Sequence, residues 1–424
     1  MMHLEDYLQR HAQQQPDKIA AVSANQTISY GQLWQQVQQE SRRYTPGVPV
    51  PFTTTQDINF LITYMAIHHA GAIAIPLPSM AATGSICCDT LPPGLADILF
   101  TTGTTGTSKG VIISHKALMA DAENLIEGQL FSNDLTFVIS GPLNHIGSLS
   151  KIWPVITLGA TLHILEGMKD LNAFFTALCS YPKTATFLVP ANTRMILQLC
   201  PQRLAEVAPH IDFIESGAAP LPHSDMQELC RLLPHARLYN TYASTETGII
   251  STYNFNDGRC IPGCLGRPMS HSHISITSEG HVACTGDTLM SGYTDTPATD
   301  WHPHIITTSD LGHLDDEGML RLTGRESDVI NVGGFKVAPA EVEEAAMSLP
   351  TVKDCICIAT PHPITGQALK LLVVTPQGCS LDKRQTARQL SQLLEPHKVP
   401  MLYEQVDHIC RTYNGKLDRK AYQQ

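Results

Sequence analysis

A glycine- and hydroxyl-rich run lies directly after an apolar segment in the first quarter of the chain. The run Leu99–Val111 reads LFTTGTTGTSKGV. Because glycine permits tight turns, several backbone N–H groups can converge there on one anion. The threonine hydroxyls add donors and Lys109 adds a mobile positive charge. This composition predicts a loop that binds polyphosphate.

Other known glycine loops fit the run less well. A Walker loop needs four residues between its first glycine and a Gly-Lys pair, but Gly103 and Gly106 are too close together and Ser108 precedes Lys109. A dinucleotide-binding fingerprint is absent. Gly106–Gly110 fits the short G-x-S-x-G pattern of α/β-hydrolases, and a surface loop without a ligand is the other alternative.

The whole run resembles the phosphate-binding loop of the adenylate-forming superfamily. That family includes acyl-CoA synthetases, aryl-CoA ligases such as 4-coumarate ligases, luciferases and the adenylation domains of peptide synthetases. Its usual pattern is [YF]-T-S-G-[ST]-T-G-x-P-K-G, with Thr102 and Ser108 here in place of Ser and Pro. Four further motifs follow in the family's order. The resemblance implies a catalytic Lys109 and nucleotide contacts from Thr101, Thr102, Gly103, Thr104, Thr105 and Gly106.

The second motif, LYNTYASTETG at residues 238–248, resembles the family's Y-G-x-T-E element. By that resemblance, Asn240 would contact the adenine edge and Tyr242 would stack on the base. Thr245 would hold the α-phosphate and Glu246 would bind Mg²⁺, a cation that prefers oxygen ligands. A strand end with a polar cap is the structural alternative.

Two segments resemble the acyl-binding elements of acyl- and aryl-CoA ligases. IESGAAPL at 214–221 would place Gly217 and Ala218 against the substrate, and GPLNHIG at 141–147 would place His145 there. A buried structural histidine is the alternative for His145. Amino-acid-activating relatives carry a Phe-Asp pair that holds the substrate ammonium, and no such pair occurs nearby. This disfavours an amino-acid substrate, because a desolvated ammonium needs a paired anion.

The third motif is TSDLG at 308–312, followed by LTGRESDVINVGGFKV at 322–337. The resemblance implies that Asp310 takes both ribose hydroxyls and that Arg325 also contacts the ribose. Ser327 occupies the family's hinge position.

The remaining implied contacts concern the thiol and the adenylation step. Gly333, Gly334 and Phe335 resemble the loop that meets the pantetheine arm. CRTYNGKLDR at 410–419 resembles P-x-T-x-x-G-K-x-x-R, with Lys416 as the adenylation lysine.

Composition agrees with a soluble enzyme. The net charge of −11 and the pI near 5.9 disfavour nucleic acid and anionic membranes as partners. The apolar stretch 58–77 is interrupted by His68 and ended by Pro76, which predicts a buried helix (58–70) and a buried strand (72–77) rather than a membrane span. No secretory signal opens the chain.

Twelve cysteines are scattered along the chain, which favours a reducing cytoplasm. Cys260, Cys264, His271 and His273 come nearest to a metal cluster. Their H-x-H pair is too closely spaced for a usual zinc finger, so the pattern disfavours zinc.

Alternating strand and helix patterns must position these motifs, which predicts an α/β fold with much parallel sheet. Strand-like runs fall at 97–101, 135–140, 160–165, 184–189, 210–215 and 236–241, and helix-like runs at 115–127, 170–180, 191–199 and 222–233. After Arg325 the pattern restarts as a ribbon, helix 339–348, strands near 352–359 and 368–375, helix 381–394 and a strand near 401–406.

We therefore expect a large N-terminal adenylation domain (1–326) and a small, mobile α+β C-terminal domain (327–424). Only about twenty residues separate the segment 70–77 from the glycine-rich run, so the first domain is trimmed relative to the family. The resemblance implies activation of an aromatic or medium-chain acid by ATP and Mg²⁺, then transfer to coenzyme A. A holo acyl carrier protein as acceptor, an amino-acid substrate and a non-catalytic nucleotide-binding relative are the alternatives.

Overall fold

The computed structural model describes residues 2–24, 26–80, 91–102, 108–297, 301–411 and 417–422. The strands within these residues are β1 (Ile19–Ser23), β2 (Gln26–Ser29), β3 (Pro49–Thr53), β4 (Ile73–Leu77), β5 (Leu95–Thr102), β6 (Ser108–Ser114), β7 (Thr136–Ile139), β8 (Thr161–Ile164), β9 (Thr184–Leu188), β10 (Ile211–Ser216), β11 (Arg237–Ser244), β12 (Gly248–Asn254), β13 (Arg267–Pro268), β14 (Ser272–Ile276), β15 (His281–Gly286), β16 (Gly292–Tyr293), β17 (Ile306–Leu314), β18 (Leu320–Arg325), β19 (Ile330–Val332), β20 (Phe335–Val337), β21 (Asp354–His362), β22 (Gly366–Val374) and β23 (Leu402–Gln405). The α-helices are α1 (Leu4–Gln14), α2 (Tyr30–Ser41), α3 (Ile58–His69), α4 (His115–Gln129), α5 (Ile146–Leu149), α6 (Ile152–Leu158), α7 (Leu171–Cys179), α8 (Pro190–Leu199), α9 (Pro201–Val207), α10 (His223–Leu232), α11 (Pro339–Met347) and α12 (Lys383–Leu393).

The α/β prediction is confirmed, and the strands and helices expected from the sequence are all present within a few residues. The helix and strand expected between residues 58 and 77 form as α3 and β4. No helix in the described part of the chain combines the length and apolar composition that crossing a bilayer requires.

The largest sheet has nine strands in the order β13-β12-β11-β10-β9-β7-β8-β1-β2. Its centre, from β11 to β1, is parallel, so these strands end at the same edge. β7 is buried at every position, as expected for a strand covered on both faces. The carboxyl edge of such a sheet is where α/β proteins bind ligands.

A five-stranded sheet of order β16-β6-β5-β4-β3 lies in the same N-terminal domain. β5 and β6 are antiparallel, with Thr101 opposite Lys109. The pair therefore flanks residues 103–107 as the two arms of a hairpin. α4 follows β6 directly, and the Ser114 hydroxyl caps it by accepting a hydrogen bond from Ala117 N at 3.1 Å.

The region between β12 and β18 is mostly antiparallel β-structure. β14, β15, β17 and β18 form a four-stranded sheet, in which Asp310 on β17 is paired with Arg325 on β18. Leu265, Val282, Cys284 and Leu320 pack beneath this sheet. The register brings the two ends of the third sequence motif together.

Residues after Arg325 form a separate small sheet. β20, β19, β22 and β21 run in that order, and β23 pairs with β22 in parallel. α11 and α12 enclose one apolar core with Val337, Val342 and Leu371. The small sheet pairs with none of the N-terminal sheets among the described strands.

Candidate active site

Two of the motif segments, 141–147 and 214–221, lie at the carboxyl edge of the parallel strands. β10 ends at Ser216 and leads into Gly217 and Ala218, while the segment 141–147 follows β7. Ala218 has a φ of +69°, a strained conformation for a residue with a side chain. A Cβ on Gly217 would lie 3.1 Å from the Thr241 carbonyl oxygen. The backbone here is therefore held close to β11.

The segment containing His145 is fixed from two directions. Gln56 Nε2 donates to Gly141 O at 2.8 Å, and Leu143 N donates to Gln56 Oε1 at 3.0 Å. His145 forms the N-cap of α5 and is partly exposed. The segment thus has a defined backbone position beside the strand ends.

Behind this segment lies a buried ion pair that the sequence analysis missed. Lys151 Nζ donates to Glu215 Oε1 at 2.8 Å and lies 2.7 Å from Oε2, and both side chains are about 1% exposed. The Lys151 ammonium is also 5.3 Å from the centre of the Phe187 ring, which packs against Gly147. The sequence signal that could have revealed this pair is Lys151 itself, a single lysine inside the apolar stretch 146–156.

Tyr293 brings Lys109 and Glu246 together. Its hydroxyl donates to Glu246 Oε1 at 3.3 Å, and the Lys109 ammonium lies 5.1 Å from its ring centre. Burial and the nearby Glu246 carboxylate raise the pKa of Tyr293 to about 12, so the hydroxyl remains a donor. Tyr293 reaches this position because β16 pairs with β6 opposite Val111. No local motif marks it.

The turn that carries Thr245 and Glu246 rests on a buried acid. Asp121 on α4 accepts a hydrogen bond from Ile249 N at 2.6 Å. Gly248 has a φ of +72°, and a Cβ there would lie 2.6 Å from Asp121 Oδ1, so the turn requires glycine. Burial raises the pKa of the Asp121 carboxyl well above its usual value.

Tyr242, Asp310 and Arg325 form a second polar group. Asp310 Oδ2 accepts from the Tyr242 hydroxyl at 2.9 Å, and Oδ1 accepts from Arg325 Nε at 2.7 Å. Burial, with Asp310 beside it, raises the pKa of Tyr242. Asn240 is buried on the same strand; its Nδ2 donates to Cys264 O at 3.1 Å and its Oδ1 has no partner among the described residues.

The residues assigned to the thiol and the hinge lie in the C-terminal domain. Gly333 and Gly334 have φ values of +61° and +96°, conformations that favour glycine. Phe335 is exposed and stacks on His397 at 4.6 Å. Ser327 lies in the exposed turn between β18 and β19, with its hydroxyl 3.1 Å from Asp328 Oδ1.

One carboxylate of the small domain contacts the large domain. Asp354 Oδ1 accepts from Arg194 Nη1 on α8 at 3.2 Å, and Asp354 also pairs with Arg411 at 2.8 and 2.9 Å. Arg194 in turn binds Asp225 on α10 at 3.1 Å. Arg411 pairs with Leu417 across residues 412–416. Gly103, Thr104, Thr105, Gly106 and Lys416 lie outside the described residues.

Comparison with protein families identifies two matches, one in each domain. A model described as AMP-binding enzyme matches residues 90–294, and one described as AMP-binding enzyme C-terminal domain matches residues 341–416. Together they cover more than half of the chain and include the glycine-rich run, the Glu246 turn and Lys416.

Individual relatives agree with these matches. The chain is 26% identical over 458 residues to a Staphylococcus epidermidis protein named as a long chain fatty acid-CoA ligase, VraA, covering 99% of this chain and 98% of that one. It is 29% identical over 337 residues to 2-succinylbenzoate–CoA ligase of Staphylococcus aureus, covering 77% of this chain and 66% of that enzyme, just under two thirds. The ATP-bound structure of MatB from Rhodopseudomonas palustris has the same fold, with a TM-score of 0.86 at 23% identity and 99% of both chains covered.

Proposed function

The chain belongs to the adenylate-forming, AMP-binding enzyme family, and from this premise we propose that it activates a carboxylic acid with ATP and transfers the acyl group to a thiol. In the first step a carboxylate oxygen attacks the α-phosphorus of ATP. The bond to the bridging oxygen breaks and pyrophosphate leaves, giving an acyl-adenylate. In the second step a thiol sulfur attacks the acyl carbon, its proton is lost, and AMP leaves with the electron pair.

The observation that carries this proposal is the Lys109–Tyr293–Glu246 arrangement. The Lys109 ammonium lies over the Tyr293 ring, and the Glu246 carboxylate accepts a hydrogen bond from the hydroxyl of the same ring. Lys109 itself belongs to the β5–β6 hairpin that flanks residues 103–107. We propose that Lys109 neutralises phosphate charge and that Thr245 hydrogen-bonds the α-phosphate. Catalysis of this kind depends on positioning and on charge neutralisation at the transferring phosphorus.

Glu246 fits the requirements of a magnesium ligand. It presents a carboxylate beside a lysine, and within the described part of the chain this carboxylate accepts one long hydrogen bond of 3.3 Å, from the Tyr293 hydroxyl. Mg²⁺ prefers carboxylate and phosphate oxygens and would neutralise phosphate charge when bound. We propose that Glu246 is the protein's ligand to that ion, while Tyr293 fixes the orientation of its carboxylate.

The nucleoside would lie between the Tyr242–Asp310–Arg325 group and the 214–221 segment. Each Asp310 oxygen accepts one hydrogen bond within the protein and keeps a lone pair for a ribose hydroxyl. Asn240 Oδ1, which no described residue contacts by a hydrogen bond, is an acceptor suited to the adenine amino group. We propose that Arg325 also contacts the ribose, and that the Tyr242 ring lies against the base.

We propose that the acid lies against Gly217, Ala218 and His145. We propose an aromatic or medium-chain acid, and the Phe187 ring, which packs against both Gly147 and Gly217, supports an apolar group at this place. The names of a 2-succinylbenzoate–CoA ligase and a fatty acid-CoA ligase among the relatives support an acid without an amino group. A relative named delta-poly-L-ornithine synthetase, 26% identical, makes an amino acid the second candidate substrate.

We propose coenzyme A as the thiol, with Gly333, Gly334 and Phe335 toward its pantetheine arm and Ser327 as the hinge. The domain boundary proposed at Glu326–Ser327 is supported by the change of sheet between β18 and β19. The described cysteines form no disulfide, which supports a reducing cytoplasm as the location.

Acid-dependent pyrophosphate release, screened across a panel of carboxylates, tests the proposal. We expect release with one class of organic acid, formation of a thioester when coenzyme A is added, and little release by Glu246→Gln. Thioester formation only with a holo carrier protein would identify that protein, and not coenzyme A, as the acceptor. Pyrophosphate release with amino acids alone would identify an amino-acid-activating enzyme. ATP binding without pyrophosphate release under any condition would identify a non-catalytic nucleotide-binding relative.

A further inference from the structure

Three side chains that can ligate a metal ion converge where α1 meets the start of α4. His3 is the N-cap of α1, Glu5 lies in its first turn, and His115 is the first residue of α4. One ligand atom from each lies within 4.8 Å of the others, and His3 Nδ1 is 3.4 Å from Glu5 Oε1. Within the described ranges no other three histidine, cysteine or acidic side chains are grouped so closely.

Two of these side chains carry buried polar atoms that have no hydrogen-bond partner among the residues that the structure describes. His115 is 6% exposed, and its Nδ1 makes no hydrogen bond within the described part of the chain. Glu5 Oε2 is likewise buried and unpartnered there. Burying an unpartnered polar atom is unfavourable, and both atoms are of the kind that bind metal ions. These two buried atoms, unpartnered within the described residues, therefore point to a ligand at this place.

The backbone that carries the group is held by its own hydrogen bonds. His3 N donates to Asp6 Oδ2 at 2.8 Å, which fixes the first turn of α1. His115 N donates to Gly94 O at 3.0 Å, which fixes the start of α4. The helices thus bring the three residues together without the help of a ligand.

The rings of His3 and His115 stack 4.3 Å apart and 4° from parallel. Imidazole lone pairs lie in the ring plane, so one ring must turn before both can bind one ion. The His3 side chain is 40% exposed and has room to turn, whereas His115 is packed against His68 at 5.2 Å. We therefore expect the His3 ring, and not the His115 ring, to turn when an ion binds.

We propose that His3, Glu5 and His115 bind a divalent cation of the zinc class. Two imidazoles and one carboxylate are a donor set that zinc uses with a water molecule in the fourth position. Mg²⁺ and Ca²⁺ take oxygen ligands and are disfavoured by two nitrogens. The bound ion would join α1 to the end of the β5–β6 hairpin that is remote from residues 103–107. It is distinct from the magnesium proposed at Glu246.

Metal analysis of the purified full-length protein tests this site. Protein stripped with a chelator, equilibrated with Zn²⁺ and dialysed should retain one zinc per chain. His3→Ala, at an exposed position, and Glu5→Gln, which keeps the size of the side chain, should each bind Zn²⁺ at least tenfold more weakly. The matched control is Cys260→Ser. The Cys260 thiol lies beside the Cys230 thiol, and this pair is an alternative site at which zinc could bind. The control should bind as the parent does.

Co²⁺ absorption gives an independent readout. The parent should show visible d–d bands whose intensity requires a site of low coordination number, and His3→Ala should lose them. Retention of no zinc by the parent would overturn the proposal. Zinc binding unchanged in His3→Ala and Glu5→Gln, or lost in Cys260→Ser alone, would also overturn it.

Discussion

Arg194 on α8 and Asp354 at the start of β21 form a 3.2 Å ion pair that joins the large domain to the small one. Both side chains are mostly buried, and Asp354 also holds Arg411. Asp354→Asn keeps the hydrogen bond to Cys355 N but removes the charge. Hydrogen bonds to charged groups contribute about 1.5–3 kcal/mol, so the variant should weaken the contact between the two domains by about this amount. Because the small domain carries Lys416, the proposed adenylation lysine, we expect pyrophosphate release to slow by roughly tenfold or more.

The matched control for this variant is Asp212→Asn. Asp212 pairs with Arg237 at 2.6 Å with similar exposure, but within the large domain. Its pyrophosphate release should stay near the parent rate. Equal slowing in both variants would assign the effect of Asp354 to general destabilisation rather than to the contact between domains.

Tyr293 provides a test of the Lys109–Glu246 arrangement. Tyr293→Phe removes the hydrogen bond to Glu246 and should slow adenylation about fivefold, the equivalent of roughly 1 kcal/mol. Tyr293→Leu also removes the ring beneath Lys109 and should slow it further. Since the Tyr293 pKa is about 12, the pH–rate profile of Tyr293→Phe should match that of the parent between about pH 6 and pH 10. An altered alkaline limb would contradict this.

Lys416 should separate the two half-reactions. We expect Lys416→Ala to abolish acyl-adenylate formation, since losing one preorganised charge at a transition state costs about 3–4 kcal/mol. The variant should still convert supplied acyl-adenylate and thiol to the thioester, because we propose that this step uses the Gly333–Phe335 face instead. Equal loss of both activities would mean that Lys416 is structural.

The buried Lys151–Glu215 pair makes a prediction about stability. Lys151→Met leaves Glu215 buried without a counter-charge and should lower the free energy of unfolding by about 3–5 kcal/mol. Adding Glu215→Leu should restore most of that loss. Lys370→Met breaks a more exposed pair with Glu404 and should cost less than about 1 kcal/mol. Urea unfolding measures all four proteins, and a double variant no better than Lys151→Met would contradict the argument.

Asp121 should make stability depend on pH. Burial raises its folded-state pKa, so any stability that this carboxyl provides is present below its unfolded pKa of about 4 and is lost as pH rises toward the folded pKa. Asp121→Asn cannot ionise, and its side-chain oxygen can still accept from Ile249 N. The Tm of the variant relative to the parent should therefore rise between about pH 4 and pH 8. A difference that stays constant across this range would contradict the assignment.

Much of the fold could be predicted because local patterns reflect burial. The helix runs around α4, α7, α8 and α10 carry apolar residues at helical spacing, and each forms where expected. β6 and the strands from β12 to β18 were not predicted. β13 and β16 are only two residues long, and the pairing of all these strands depends on neighbours that the local sequence does not reveal.

The site shows the same division. Glu246 and Asp310 stand in compact motifs, so their types and spacing identify them. Tyr293 could not be identified from the local sequence, because it contacts Lys109 only through the pairing of β16 with β6. The Lys151–Glu215 pair joins residues 64 positions apart, and neither belongs to a motif that requires the other.

The placement of β1 beside β8 has a consequence for synthesis of the chain. Ala21 pairs with Leu162, which follows it by 141 residues. At about 5–20 residues per second, the ribosome needs on the order of 7–28 s to extend the chain from one to the other. During that interval β1 and β2 have no sheet to join, and their unpaired edges are open to other chains. A chaperone that binds nascent chains would have its earliest substrate in residues 19–29.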